Sequence, residues 1–233
     1  MPEVFFGHFV LKEGFVMNTK LRKLVLIAMF SAVAYLLVYL VRIPIVPAVP
    51  FLRYEPKDVM IVIGGFILGP MASVLISLIV SFFEFLTIST TGPIGMLMNF
   101  LSSTFFACTA AIIYKKKRTL KGAVIGLATG TVLTVVLMLL WNYLVSPIYM
   151  GIAREAIVKL LLPGFLPFNL IKGIINTTIT MLLYKPIVTA LRKAKLAPSS
   201  EQTKQGKYLG VALACMVILI SVALFILIFQ GVI

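Results

Sequence analysis

Acidic residues are scarce in this chain: seven Asp and Glu stand against 21 Lys and Arg over 233 residues, a net charge of +14. Clustered carboxylates for metal and phosphate chemistry are therefore lacking, which argues against a lipid-modifying transferase or similar membrane enzyme. His8 is the only histidine and lies before the first apolar segment, so a metal centre or a histidine acid–base pair is not indicated. Cys108 and Cys215 both fall inside apolar segments without partner spacing, which points to neither a disulfide framework nor a metal site and leaves them as packing residues. No G-x-x-x-x-G-K-[ST] pattern occurs; Gly206-Lys207 is followed by Tyr208 and lacks the loop before it. ATP hydrolysis by that route is excluded. The ten-residue alternation of an outer-membrane barrel is also missing.

What the chain has is apolar length. With 61% hydrophobic and 12% charged residues and a mean hydropathy of +1.11, lipid is its solvent. Backbone groups in lipid must be satisfied within the segment, so the runs predict an all-α membrane protein, a bundle of transmembrane helices. Seven spans are expected, at about 24–41, 58–69, 71–89, 95–114, 122–146, 163–190 and 208–232. The second is short, ending at Gly69-Pro70. The organisation reads as a leader over 1–23, a six-helix domain over 24–192, a polar linker over 193–207 and an additional helix over 208–233, an anchor or packing helix with no ionisable residue beyond Tyr208. Met17 is an alternative translation start to Met1.

The bases sit in clusters between the spans and report topology rather than nucleic-acid binding. With a cytoplasmic N-terminus, the groups at Lys12 to Lys23, Lys115 to Lys121 and Lys185 to Lys207 are all cytoplasmic, and the outer loops keep only Arg42, Arg53, Lys57, Arg154 and Lys159. This orientation, multi-pass in the cell inner membrane, is the one the positive-inside rule selects.

The polar residues inside the spans are few and gather on one side. In the sixth span Asn169, Lys172, Asn176 and Thr180 share a helical stripe. A cation near mid-bilayer costs at least ~2.5–3.5 kcal/mol, so Lys172 is expected to face a cavity, a ligand or another polar group. At 1.5 Å per residue, Asn169 and Lys172 lie roughly 9–14 Å below the outer end of their span. Asn99 and Asn142 lie about one turn below the outer ends of theirs, and Glu84, in the third span, faces either the interior or the headgroups. Trp141 reads as an interfacial anchor. Asp58 reads as a cap for the second span. The loop from Arg42 to Lys57, with four prolines and Phe51, Leu52, Arg53 and Tyr54, is a stiff lid or a plain connector; the loop 147–162 is expected to be partly helical. Together these describe an outward pocket, rich in amides, for a flat polar organic molecule. In the first span Ala28 and Ala32 make a small-xxx-small step, suited to internal helix contact or to a partner subunit; Gly122, Gly126, Gly130 and Thr134 make a similar run in the fifth.

Five segments together carry a resemblance: Ala28-Met29-Phe30-Ser31-Ala32, Phe51-Leu52-Arg53-Tyr54-Glu55, Gly64-Gly65-Phe66-Ile67-Leu68-Gly69-Pro70, Asn142-Tyr143 and, most specific, Pro167-Phe168-Asn169-Leu170-Ile171-Lys172-Gly173. Over about residues 20–192 the chain resembles the substrate-binding S components of energy-coupling-factor (ECF) vitamin transporters, riboflavin-specific members above all. The resemblance implies a six-helix fold and a non-enzymatic role in vitamin uptake. The transported ligand would be riboflavin, with FMN as a variant, and no cofactor would be needed. It makes Asn142, Asn169 and Lys172 ring-binding residues, with Phe51, Leu52, Arg53 and Tyr54 covering the ligand; Glu84 and Asn99, placed in the pocket by their positions in the spans, complete the expected substrate-binding set. Ala28 and Ala32 become the surface that docks a membrane coupling subunit served by two ATPases. A carrier for another vitamin or heterocycle, or a stand-alone facilitator, is the alternative. The seventh span departs from the family's six-helix core, and the 147–162 loop is shorter than expected.

Overall fold

The computed structural model describes residues 19–194, 196 and 205–231. The leader up to residue 18, with His8 and Met17, and most of the linker lie outside the described residues. Helix α1 spans Thr19–Leu40, α2 Lys57–Leu68, α3 Pro70–Thr87, α4 Gly92–Lys117 and α5 Leu120–Leu144. Short helices α6, Ser146–Met150, and α7, Arg154–Leu160, follow, then a π-helical turn over Leu161–Phe165, α8 over Leu166–Lys193 and α9 over Gln205–Phe229. The helices match the seven expected spans to within a few residues, and the 147–162 loop is indeed mostly helical. Six helical runs are long and apolar enough to cross a membrane: α1, α3, α4, α5, the run from α7 through α8, and α9. Helix α2 is not among them.

At 12 residues, α2 extends only about 18 Å against a hydrocarbon core of roughly 30 Å. Residues 41–56 form a loop whose root is a two-residue antiparallel ladder, β1 (Ile43–Pro44) with β2 (Arg53–Tyr54), in the register Ile43 to Tyr54 and Pro44 to Arg53. This loop sits on the start of α2, at what is termed the upper end of the bundle.

The helices assemble as their sequences demand. On α1, Leu26, Phe30, Ala34 and Val38 recur every four residues and are buried, whereas Ala28 and Ala32 on another side are exposed. The α2–α3 turn is made by Gly69 at φ +103°, a conformation that L side chains rarely adopt, with Pro70 opening α3. Helices α4 and α5 meet through the expected glycine run. A Cβ on Gly126 would stand 2.8 Å from the Ala110 carbonyl oxygen, and one on Gly130 would stand 2.5 Å from that of Phe106. Thr119 caps α5, its hydroxyl accepting from the Gly122 amide at 3.0 Å.

Two apolar clusters result. The lower one joins α1 to α5 with residues of α8 and α9, and includes Phe30, Ile61, Ile76, Phe106 and Leu127. The upper one joins the loop residues Ile45, Val46 and Val49 to Ile157, Phe165, Phe168 and Ile171. The site lies beside the upper cluster.

Candidate functional site

A cavity of about 470 Å³ opens at the upper end, within the range of small-molecule sites. Phe51, Leu52, Arg53 and Glu55 of the loop, Glu84 of α3, Asn99 of α4, Asn142 of α5 and Asn169 and Lys172 of α8 all line it. Met98, Met138, Met150 and Phe168 give it apolar faces. Eight of the nine residues expected to bind substrate are thus brought together. Tyr54 is the exception: buried beneath the loop, it donates from its hydroxyl to Asn176 Oδ1 at 3.0 Å. Alternation along β2 explains the difference, because Arg53 and Tyr54 must point to opposite faces. Burial, with the Asp58 charge adding to it, pushes the Tyr54 phenol well above its ordinary range.

The polar stripe of α8 divides by depth. Asn169 and Lys172 reach the cavity, Asn176 turns to Tyr54 and Asp58, and Thr180 is fully buried lower down. Both cavity-lining amides are locked to the helix turn before them: Asn142 Nδ2 donates to the Met138 carbonyl at 2.7 Å and Asn169 Nδ2 to that of Phe165 at 2.8 Å. Ser146 donates to Asn142 Oδ1 at 2.8 Å. The remaining donor and acceptor capacity of these amides is left for a ligand. The π turn before α8 contains Pro163 and Gly164 and breaks the regular ladder next to Asn169, an irregularity common near functional sites. Gly164 also lets the loop approach, since a Cβ there would meet Val49 at 2.6 Å.

Two ion clusters hold the walls. Lys172 Nζ lies 3.1 Å from Asp58 Oδ2; Asp58 also accepts from Asn176 at 3.1 Å and from Ser103 at 2.5 Å. The expectation of Asp58 as a helix cap is therefore corrected. No side chain caps α2, and the carboxylate faces inward to neutralise Lys172. Lys57, expected among the outer-loop bases, is only 1% exposed. Its ammonium lies 2.6 Å from Glu84 Oε1 and 3.0 Å from Glu55 Oε2. Asn99 donates to Glu84 Oε2 at 2.8 Å, so Glu84 faces the interior and does not snorkel. Arg42 completes the chain with a 2.9 Å contact to Glu55. Burial pushes the Glu55 carboxyl up, but the charges of Lys57, Lys172 and Arg42 outweigh it and hold the group below the usual carboxylate range.

Arg42, Glu55, Lys57 and Asp58 were absent from the expected site. Glu84 was the available signal: a carboxylate inside a span calls for a cation, and Arg42 and Lys57 are the bases that adjoin span boundaries on the same side. Trp141, read as an interfacial anchor, instead buries its indole N–H, which has no partner among the described residues.

The chain can now be compared with known proteins. It is 33% identical to the riboflavin transporter RibU of Staphylococcus aureus (strain TCH60), over 74% of this chain and 93% of that protein. It is 30% identical to the riboflavin transporter FmnP of Bacillus subtilis (strain 168), over 76% of this chain and 99% of that one. A solved structure described as "Structure and mechanism of the S component of a bacterial ECF transporter" superposes with a TM-score of 0.64 at 31% identity, covering 73% of this chain and 98% of that chain. The family model for the ECF transporter substrate-specific component matches residues 22–184, which takes in α1 through most of α8 and leaves α9 beyond it. This chain, a multi-pass membrane protein with a walled cavity at one end and seven acids in all, belongs to the substrate-specific components of ECF transporters.

Proposed function

We propose that this protein binds riboflavin in the upper cavity and mediates its uptake across the cell membrane, energised by a separate module of a membrane coupling subunit and two ATPases. The observation that carries this reading is the cavity itself. Methionine and phenylalanine faces suit a flat tricyclic ring, and Asn142, Asn169 and Lys172 converge on it with unspent hydrogen-bonding capacity suited to the ring's alternating donor and acceptor edge. Because Asp58 neutralises Lys172, the ammonium acts as an oriented donor to a carbonyl rather than as a free charge seeking an anion. Relatives matched over nearly their full length carry riboflavin in their names. The basic clusters at the lower end support a cytoplasmic N-terminus, and hence a cavity open to the outside.

The test uses Trp141, the chain's only tryptophan, adjacent to Asn142. Protein purified from flavin-rich cells should be yellow, and riboflavin added to stripped protein should quench its emission saturably. Lys172→Ala and Asn169→Ala should each weaken binding by about 1–3 kcal/mol, the cost of leaving a buried partner unsatisfied. Colourless protein with unquenched emission would overturn riboflavin as the substrate. Full affinity in both variants would remove them from the site.

A further inference from the structure

Helix α9 lies outside the family-matched residues, and its contacts lead to the lid. Most of its surface is exposed apolar side chain, as on a lipid-facing helix. One stripe is covered, through Val211, Cys215, Leu219, Val222 and Ile226, at the three- and four-residue spacing of a single helix face. The lower members, Val211 and Cys215, pack with the lower cluster. From Leu219 upward the stripe packs on the cluster that contains Ile45, Val46 and Val49 of the loop. Just past the end of the helix, Gln230 Nε2 donates to the Pro44 carbonyl oxygen at 2.7 Å. Pro44 pairs across the β ladder with Arg53, whose side chain lines the cavity.

The loop needs such support. Between its two short strands it holds only turn contacts, Val49 N–H to the Val46 carbonyl at 3.1 Å and Leu52 N–H to that of Val49 at 2.9 Å. Its position therefore depends on its neighbours. On one side Val49 abuts Gly164 and the Phe51 ring lies 6.1 Å from that of Phe165; on the other stands the upper half of α9. Lipid tails are as apolar as leucine, so packing α9 on the upper cluster gains nothing from the hydrophobic effect. What α9 adds is close contact in one geometry and a directed hydrogen bond.

We propose that α9 is a strut that holds the lid loop over the cavity, with Leu219, Val222, Ile226 and Gln230 as positioning residues that slow ligand escape. The ligand in this statement rests on the riboflavin reading; the mechanical part does not.

The test compares the full-length protein with the triple variant Val222→Ala, Ile226→Ala, Gln230→Ala, and with Leu224→Ala on the lipid side of α9 as control. Riboflavin dissociation, followed by recovery of Trp141 emission on dilution, should quicken roughly tenfold in the triple variant, equivalent to about 1.4 kcal/mol, and stay unchanged in the control. Without ligand, amide exchange at Val49 and Leu52 should quicken while that of α4 and α5 is unaffected. Wild-type dissociation and exchange in the triple variant would overturn the strut, as would an equal quickening throughout the bundle, which signals general loosening. If the unmodified protein binds no riboflavin, the proposed substrate falls, and amide exchange alone decides the strut.

Discussion

Lys57 shows how much of this protein is decided by single charges. Its ammonium is held between Glu84 and Glu55 with almost no exposure, so removing it leaves Glu84 without a cation and Glu55 with Arg42 alone. Truncating one partner of a buried ion pair costs about 3–5 kcal/mol. Lys57→Ala should therefore lower the thermal midpoint of the detergent-solubilised protein by several degrees at least; an unchanged midpoint would mean that water already reaches the pair. Glu55 adds a pH dependence. Its folded-state pKa is depressed, so below the ordinary carboxylate value of about 4.3 the unfolded chain takes up the proton first. The stabilisation is complete above that value and is lost as pH falls through the depressed one. Glu55→Gln should flatten this acid limb in a plot of melting temperature against pH. Of these residues, Lys172, Asn169 and Asn142 were legible in the sequence because polar groups within an apolar run have nowhere else to go. Lys57 and Asp58 were not, since a charge at the edge of a span reads equally as a cap or a headgroup contact. The depth at which a helix begins is set by what covers it.

Among the elements, α1 carries the face proposed to dock the coupling subunit. Its buried positions leave Ala28 and Ala32 exposed, and α9 packs on α8 without covering them. Two small residues one turn apart allow a partner's backbone to come close. Ala28→Arg or Ala32→Arg should leave riboflavin binding intact while abolishing uptake in cells that carry the full transporter; surviving uptake would place the docking surface elsewhere. Long spans could be read from hydropathy, and a tight contact on α5 from its glycine spacing, although not that α4 makes it. The π turn before α8 could not, because Pro163 and Gly164 signal a break without specifying which hydrogen-bond pattern replaces the α-helical one. Nor was the inward turn of Tyr54 legible, since it follows from a two-residue ladder too short to show a period.

At the scale of the whole molecule, the basic run that ends α4, unpaired among the described residues, and the cavity are placed at opposite ends. Lys115, Lys116 and Lys117 close α4 at the lower end, while the loop, the α3–α4 turn and α6 surround the mouth above. With Cys108 and Cys215 replaced, Ala153→Cys should react with a membrane-impermeant maleimide on intact cells, and Lys116→Cys only after permeabilisation. The reverse pattern would invert the proposed topology and put the cavity mouth in the cytoplasm.

The start of α2 has one more effect. Lys57 and Asp58 open that helix directly beneath the loop and are each 1% exposed, so the segment that frames the cavity mouth is also what keeps water from both charges. The shape of the opening and the dryness of the ion clusters therefore depend on the same stretch of chain.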